Sequence, residues 1–114
     1  NTVGPGMLID AEARKPVLAN KWGGISGPAI KPIALRCVYQ IYEAVSVPIL
    51  GIGGIMTGTD AIEMVMAGAV AVGLGSAVHY RGINVFKAVA AEMEQWMQDH
   101  GVKSVVELTG AAHD

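Results

Sequence analysis

Two glycine-rich segments carry the clearest sign of binding chemistry in this sequence. GIGG occupies residues 51–54 and GLGS occupies residues 73–76, so the second follows the first by about 22 residues. Each segment ends an apolar run and precedes a helical pattern. Bare backbone N–H groups at such turns converge on phosphate, and a helix N-terminus adds partial positive charge. A single segment of this kind would more often be only a tight strand-to-helix turn. Two in succession, with GGISG upstream at residues 23–27, favour a phosphate site.

Other catalytic and binding chemistries find little support. Residues 51–58, GIGGIMTG, lack the Lys-Ser/Thr pair of a P-loop and the spacing of a dinucleotide fingerprint. Three histidines and the single cysteine, Cys37, form neither a Ser/His/Asp triad nor a metal-ligating cluster. His79 follows the second glycine segment, but a solvated loop histidine is the commoner case. We therefore predict no metal site and assign no catalytic residue.

Several polar residues lie in or beside the glycine-rich segments. They are Asn1, Thr2, Asn20 and Ser26. Their amide and hydroxyl groups suit hydrogen bonding to an uncharged heterocycle or a carboxylate.

Strands and helices alternate in the part of the chain that must position these residues. Residues 7–22 predict a hairpin or a decorated loop. The predicted order then continues with a helix over 32–45, a strand over 47–52 and a second helix, which is capped by Thr59 or Asp60 and ended by Gly68. A strand over 69–74, a helix over 83–100 and one more turn over 104–108 follow. Both strands read as buried on two faces. Phe86, Trp22 and Trp96 are predicted to pack inward.

This alternation predicts an α/β fold with parallel strands and right-handed crossovers. Two strands cannot close a sheet, and 114 residues are too few for an eight-unit barrel, which needs roughly 250. Either the segment before Trp22 completes a small open sheet, or the chain is the last part of a (β/α)8 TIM barrel whose earlier strands lie upstream of Asn1. In the second case residues 1–114 form one partial domain, with loops over 1–31 and a helix plus two βα units over 32–114.

Charge and hydropathy exclude some partners. The net charge is −2 and the pI is about 5.9, so the chain offers no basic surplus to nucleic acid or anionic lipid. The longest apolar run, residues 47–55, is well below the roughly 20 residues of a membrane span. A lone cysteine suits the reducing cytoplasm. We expect a cytoplasmic protein that binds neither nucleic acid nor membrane.

Four motifs together closely resemble the C-terminal part of dihydroorotate dehydrogenase. They are NT at residues 1–2, RKPVLANKWGGISGPAIKPIALR at 14–36, VPILGIGGIMTGTDAIEMVMAGA at 47–69 and VGLGSA at 72–77. The likeness is best to the class 1 cytosolic enzymes, especially the form that works with an iron-sulfur flavoprotein. It covers nearly the whole chain, and the ordered set is specific although each motif alone would be weak.

The resemblance implies a TIM barrel that carries FMN and oxidises dihydroorotate to orotate in pyrimidine synthesis. Asn1 and Thr2 match an Asn-Thr pair that binds the pyrimidine. The residues that match FMN-contacting positions are Gly27, then Gly53 and Gly54 in one phosphate loop, and Gly75 and Ser76 in the other, where Ser76 replaces a more usual threonine and keeps the hydroxyl. Residues 1–31 would then be the substrate and flavin loop region, and an iron-sulfur FAD subunit would be the electron-transfer partner.

The family's catalytic base and flavin-contacting lysine belong to the first half of the enzyme, and Cys37 does not match that base. Two alternatives therefore stay open. One is a catalytically inactive fragment that self-associates as a homo-oligomer through exposed strand edges and apolar helix faces. The other is a related FMN barrel oxidoreductase acting on other pyrimidines.

Overall fold

A computed structural model describes residues 1–113. Its strands are β1 (Val3–Gly6), β2 (Ile9–Asp10), β3 (Lys15–Pro16), β4 (Gly23–Ile25), β5 (Leu50–Ile52) and β6 (Ala71–Gly73). Its α-helices are α1 (Lys31–Ala44), α2 (Gly58–Met66), α3 (Ser76–Arg81) and α4 (Val85–Asp99), with 3-10 turns at Pro28–Ile30 and Val105–Leu108. The chain is α/β, and its strands form three separate two-stranded sheets.

The two apolar strands pair in parallel, as the alternation of elements predicts. Leu50 lies opposite Ala71 and Ile52 lies opposite Gly73, with α2 as the crossover between the strands. Each strand has three residues rather than the predicted six. Pro48 has no N–H for a ladder bond, and Gly53 ends the strand with φ 137°.

Helix α2 forms the centre of the core. Its buried residues face two ways, with Ala61 and Met64 toward α1, the sheet and α4, and Ile62 and Val65 toward the C-terminal turn. Met64 packs so closely on the strand that a side chain at Gly51 would overlap it. The sheet therefore packs against α2. The carboxyl ends of β5 and β6, each followed by a glycine segment, lie at the same edge of the sheet.

The start of α2 differs from the prediction. Its N-cap is Thr57 rather than Thr59 or Asp60. The Thr57 hydroxyl accepts a hydrogen bond from the Asp60 N–H at 3.2 Å, and the Asp60 carboxylate accepts one from the Thr57 N–H at 2.9 Å. Asp60 is thus the N3 partner of a capping box, in the first turn of α2, rather than the cap itself. Gly68, with φ 119°, follows the helix end as predicted.

A short additional helix, α3, follows the second glycine segment. The pattern predicts only one helix, over 83–100, whereas the structure has α3 and then α4, separated by Gly82 with φ 78°. Six residues are too few to show a helical period in the sequence. The end of α4 agrees with the prediction, since Gly101 follows it with φ 67°.

The N-terminal segment contains the predicted hairpin. Strands β2 and β3 pair antiparallel, and β1 pairs with β4 outside them. Trp22 is 57% exposed and Phe86 is 48% exposed, so the prediction that both pack inward is wrong, while Trp96 does pack against the C-terminal cluster. Leu50 is 58% exposed, so β5 is not buried on both faces. Nothing in residues 1–113 covers these side chains. No helix in this range is long and apolar enough to cross a membrane.

Candidate functional site

One cleft of about 230 Å³ lies at the carboxyl ends of β5 and β6. It is lined by all seven predicted site residues, namely Asn1, Thr2, Gly27, Gly53, Gly54, Gly75 and Ser76, together with Ser26, Ile52, Ile55, Met56 and Gly73. Parallel strands end at the same sheet edge, which is why segments distant in sequence meet there. The structure thus brings the candidates together, and their roles stay predictions.

Hydroxyl groups fasten the N-terminus to the wall of the cleft. Thr2 Oγ1 lies 2.9 Å from Ser26 Oγ, and the Ser26 hydroxyl donates to the Asn1 carbonyl at 3.3 Å. A Cβ atom on Gly53 would lie 3.6 Å from the Asn1 Cα. Asn1 therefore sits between the Ser26 loop and the first glycine segment.

The first glycine segment packs directly on the start of α1. Gly53 and Gly54 have φ angles of 137° and 73°. A Cβ atom at Gly54 would lie 2.7 Å from the backbone nitrogen of Lys31, and one at Gly53 would lie 2.7 Å from the Ala34 Cβ. Packing alone therefore requires glycine at both positions, as a tight strand-to-helix turn would.

The second glycine segment is different. Gly75 has a φ of −121°, and no atom lies within 4 Å of the position that its Cβ would take. Opposite it, a Cβ on Gly27 would lie 3.7 Å from the Ser76 Cβ and 3.8 Å from its hydroxyl oxygen. Within residues 1–113, the N–H groups of Gly54, Gly75 and Ser76 donate no hydrogen bond. Three residues that line the cleft therefore have N–H groups without a partner in this part of the chain.

Lys31, which packs against the first glycine segment, forms ion pairs with two carboxylates. Lys31 Nζ lies 2.5 Å from Asp60 Oδ1 and 2.7 Å from Glu63 Oε2. These hydrogen bonds, first that of Asp60, raise the pKa of Lys31. Burial opposes ionisation of Asp60, but hydrogen bonds from Lys31 and from the N–H groups of Met56 and Thr57 outweigh it and lower the pKa of Asp60.

A second ion pair holds the same loop from the other side. Arg81 Nη2 lies 2.5 Å from Glu92 Oε1, and Arg81 Nη1 donates to the Met56 carbonyl at 2.6 Å. The other Glu92 oxygen accepts from the Gly58 N–H at 2.6 Å. The hydrogen bond from Arg81, followed by that from Gly58, lowers the pKa of Glu92. Sequence reasoning missed this pair, because the two residues lie on different helices and show no common period.

The remaining polar candidates lie outside the cleft. Cys37 is exposed on α1, and His79 packs edge-on against Tyr80. His100 stacks on Trp96 at the end of α4, and Asn20 is exposed in the hairpin region. Among residues 1–113, no three His, Cys, Asp or Glu side chains are grouped so as to hold a metal.

The family model described as dihydroorotate dehydrogenase matches residues 1–97. The chain belongs to the dihydroorotate dehydrogenase family. The resemblance of the four sequence motifs is thus confirmed.

Relatives of this family member include catalytic subunits named dihydroorotate dehydrogenase B (NAD(+)). The protein from Methanothermobacter thermautotrophicus is 48% identical over 114 residues, which is 100% of this chain and 38% of the relative. The protein from Methanocaldococcus jannaschii is 51% identical over 114 residues, again 100% of this chain and 37% of the relative. The chain therefore spans less than two fifths of the length of these relatives.

Solved structures agree with this assignment. Ligand-free DHODH from Eimeria tenella aligns with a TM-score of 0.78 at 30% identity, covering 96% of this chain and 31% of the other. The complex of the same enzyme with ferulenol also has a TM-score of 0.78, at 31% identity, and covers 95% of this chain and 30% of the other. The open α/β arrangement is consistent with part of the fold of these enzymes.

Proposed function

We propose that this chain carries the FMN-phosphate site and part of the pyrimidine site of an enzyme that oxidises dihydroorotate to orotate. The observation that carries the proposal is the set of three available N–H donors, on Gly54, Gly75 and Ser76, around one cleft. The names of the relatives supply the reaction. The chain would provide the last two to three βα units of the barrel.

The residues present fit a phosphate group. The cleft contains backbone donors, the Ser76 hydroxyl and open space at Gly75, and no carboxylate lines it among residues 1–113. Oriented backbone N–H groups of this kind bind anions. When bound, FMN would accept a hydride from the pyrimidine ring.

The polar residues Asn1 and Thr2 lie beside the proposed phosphate site. We assign Asn1 and Thr2 to hydrogen bonding of the pyrimidine substrate, with Ser26 holding Thr2 in place through the 2.9 Å contact. Such contacts orient a substrate against a flavin and exclude other poses. No residue of this chain is assigned to proton removal.

The relatives' names, which specify a catalytic subunit and NAD(+), support a partner. We propose an iron-sulfur subunit that carries FAD and passes electrons onward, in the cytoplasm. A second proposal concerns the chain by itself, which we expect to be inactive and to form homo-oligomers. Leu50, 58% exposed, and Ile41, 46% exposed, line one groove beside β5. Within residues 1–113 β5 pairs only with β6, so a second copy would cover these side chains at its other edge.

Titration with FMN and riboflavin tests the phosphate site. Gly75→Asp introduces a carboxylate where no atom crowds the Cβ, and Gly75→Asn is the matched neutral control. Repulsion between unit charges about 5 Å apart is roughly 1–3 kcal/mol, or about 5- to 150-fold in Kd. We expect the Asp variant to lose FMN affinity by that factor relative to the Asn variant, with riboflavin unaffected.

Fluorescence quenching of the flavin measures both affinities, and circular dichroism confirms folding. Equal FMN affinity in the two variants would refute the placement of the phosphate. A folded wild-type chain without saturable FMN binding would refute the proposal that this chain carries the site.

A further inference from the structure

We propose that Arg81 and Glu92 are positioning residues for the phosphate site. Together they fix the loop between β5 and α2 against α3, so that the N–H of Gly54 keeps one distance from those of Gly75 and Ser76. This inference rests on the proposed function of the cleft and adds two residues that the sequence motifs do not include.

Arg81 and Glu92 each form a hydrogen bond with the backbone of this loop. Arg81 donates to the Met56 carbonyl at 2.6 Å, and Glu92 accepts from the Gly58 N–H at 2.6 Å. Arg81 and Glu92 also bind each other through two contacts, at 2.5 Å and 3.3 Å. A guanidinium and a carboxylate joined at two points have a defined relative orientation. The carbonyl before Thr57 and the N–H after it are therefore held by one rigid unit.

The helices connect this unit to both sides of the cleft. Arg81 is the last residue of α3, and Ser76 is the first. Six helical residues span about 9 Å, so the two ends move together. On the loop side, Met56 itself lines the cleft two residues after Gly54. A displacement of the loop from α3 would therefore change the spacing of the donors.

The opposite face of the loop has its own anchor. Asp60 Oδ2 accepts from the Met56 N–H at 2.9 Å. Met56 is thus held at its N–H from α2 and at its carbonyl from α3. Helix α4 also lies very close, because a Cβ on Gly58 would lie 2.6 Å from the Met93 backbone nitrogen. The loop is therefore in contact with α2, α3 and α4.

Stability alone does not account for the pair. The Arg81 and Glu92 side chains are 32% and 37% exposed, and ion pairs exposed to this degree contribute little to folding. A surface ion pair can also form without any hydrogen bond to the backbone of a loop. The contacts with Met56 and Gly58 are what a positioning role requires.

The test compares FMN with riboflavin, which differ by the phosphate, in the wild-type chain, Glu92→Gln and Arg81→Lys. Lysine keeps the positive charge but cannot reach both partners in the fork geometry of arginine. Glu94→Gln is the matched control, because Glu94 is exposed on the same helix. We expect Glu92→Gln and Arg81→Lys to weaken FMN about tenfold, the effect of one charge-assisted hydrogen bond, with riboflavin unchanged.

Amide hydrogen exchange of residues 54–58 provides a second readout that needs no ligand. We expect faster exchange in this loop in Glu92→Gln and Arg81→Lys but not in Glu94→Gln. A parallel loss of FMN and riboflavin affinity, or unchanged loop exchange, would overturn the positioning role. If the wild-type chain binds FMN no better than riboflavin, the proposed function fails, and loop exchange alone then decides whether Arg81 and Glu92 fix the loop.

Discussion

A series of three glycine-to-alanine variants separates backbone strain from close packing at the cleft. Gly54 has φ 73° and would place a Cβ 2.7 Å from the Lys31 backbone nitrogen. Gly101, after α4, has a similar φ of 67° but no atom within 4 Å of its Cβ position. Gly75 has neither a positive φ nor a close neighbour. The three positions therefore differ in one physical feature at a time.

The expected losses in unfolding free energy follow from these features. A left-handed conformation costs an L residue about 1–2 kcal/mol, which is the whole effect at Gly101. At Gly54 the methyl group also overlaps backbone atoms, and overpacking adds about 1–3 kcal/mol. We expect about 2–5 kcal/mol for Gly54→Ala. For Gly75→Ala we expect a change within about 0.5 kcal/mol, as at ordinary surface positions.

Urea denaturation followed by circular dichroism measures all three differences under one condition. The melting temperature provides a second measure, at roughly 4 °C or more per kcal/mol for a domain near this size. If Gly54→Ala lowers the free energy of unfolding no more than Gly101→Ala does, the first glycine segment does not approach α1 as closely as described. If Gly75→Ala lowers the free energy of unfolding as much as Gly54→Ala does, the second glycine segment does not have the open space described at Gly75.

Two further predictions concern charge and the exposed strand edge. Since the pKa of Asp60 is lowered from its ordinary 3.8, its stabilising effect is fully present above that value and is lost as the pH falls through the lowered pKa. The stability difference between wild type and Asp60→Asn, measured by urea denaturation, should therefore be clear near neutral pH and vanish at the acid end; a difference independent of pH would contradict this. Leu50→Lys should reduce self-association in light scattering, because it places a charge at the exposed edge of β5. A wild-type chain that is already a clean 11.8 kDa monomer would contradict the proposed association.

The sequence predicts which segments meet better than it predicts the contacts that hold them. The parallel pairing of β5 and β6 follows from two apolar runs separated by a helix, and it brings Gly54 and Gly75 to one edge. By contrast, the Arg81 and Glu92 contacts with loop backbone depend on the angle between α3 and α4, which no periodic pattern encodes. The N-cap of α2 differs from the prediction for a related reason, since Thr57, Thr59 and Asp60 are all residue types that cap helices and tertiary contacts select one.

Burial shows a different limit of sequence reasoning. Apolar residues at helical spacing include Val38 on α1 and Val89 on α4, and both are buried in the core. The same spacing predicts burial for Phe86, which is exposed, and Trp22, which we expect to be a packing residue from its type, is exposed as well. Periodicity reports that a side chain is suited to an apolar contact, but it does not say which element supplies that contact. Exposure at these positions therefore marks surfaces that residues 1–113 do not cover.

The glycines of the cleft divide into those that the fold needs and one that it does not. Gly27, Gly53 and Gly54 have positive φ angles, and the latter two have no room for a side chain, so the fold alone explains them. Gly73 is also explained by packing, because a Cβ there would lie 2.8 Å from the Ile52 side chain. Gly75 has a negative φ and open space around it, so neither a left-handed backbone nor close packing requires glycine there. A ligand that approaches the backbone closely does require it. The proposal of a phosphate site therefore rests more on Gly75 and the neighbouring Ser76 N–H than on the longer glycine segment.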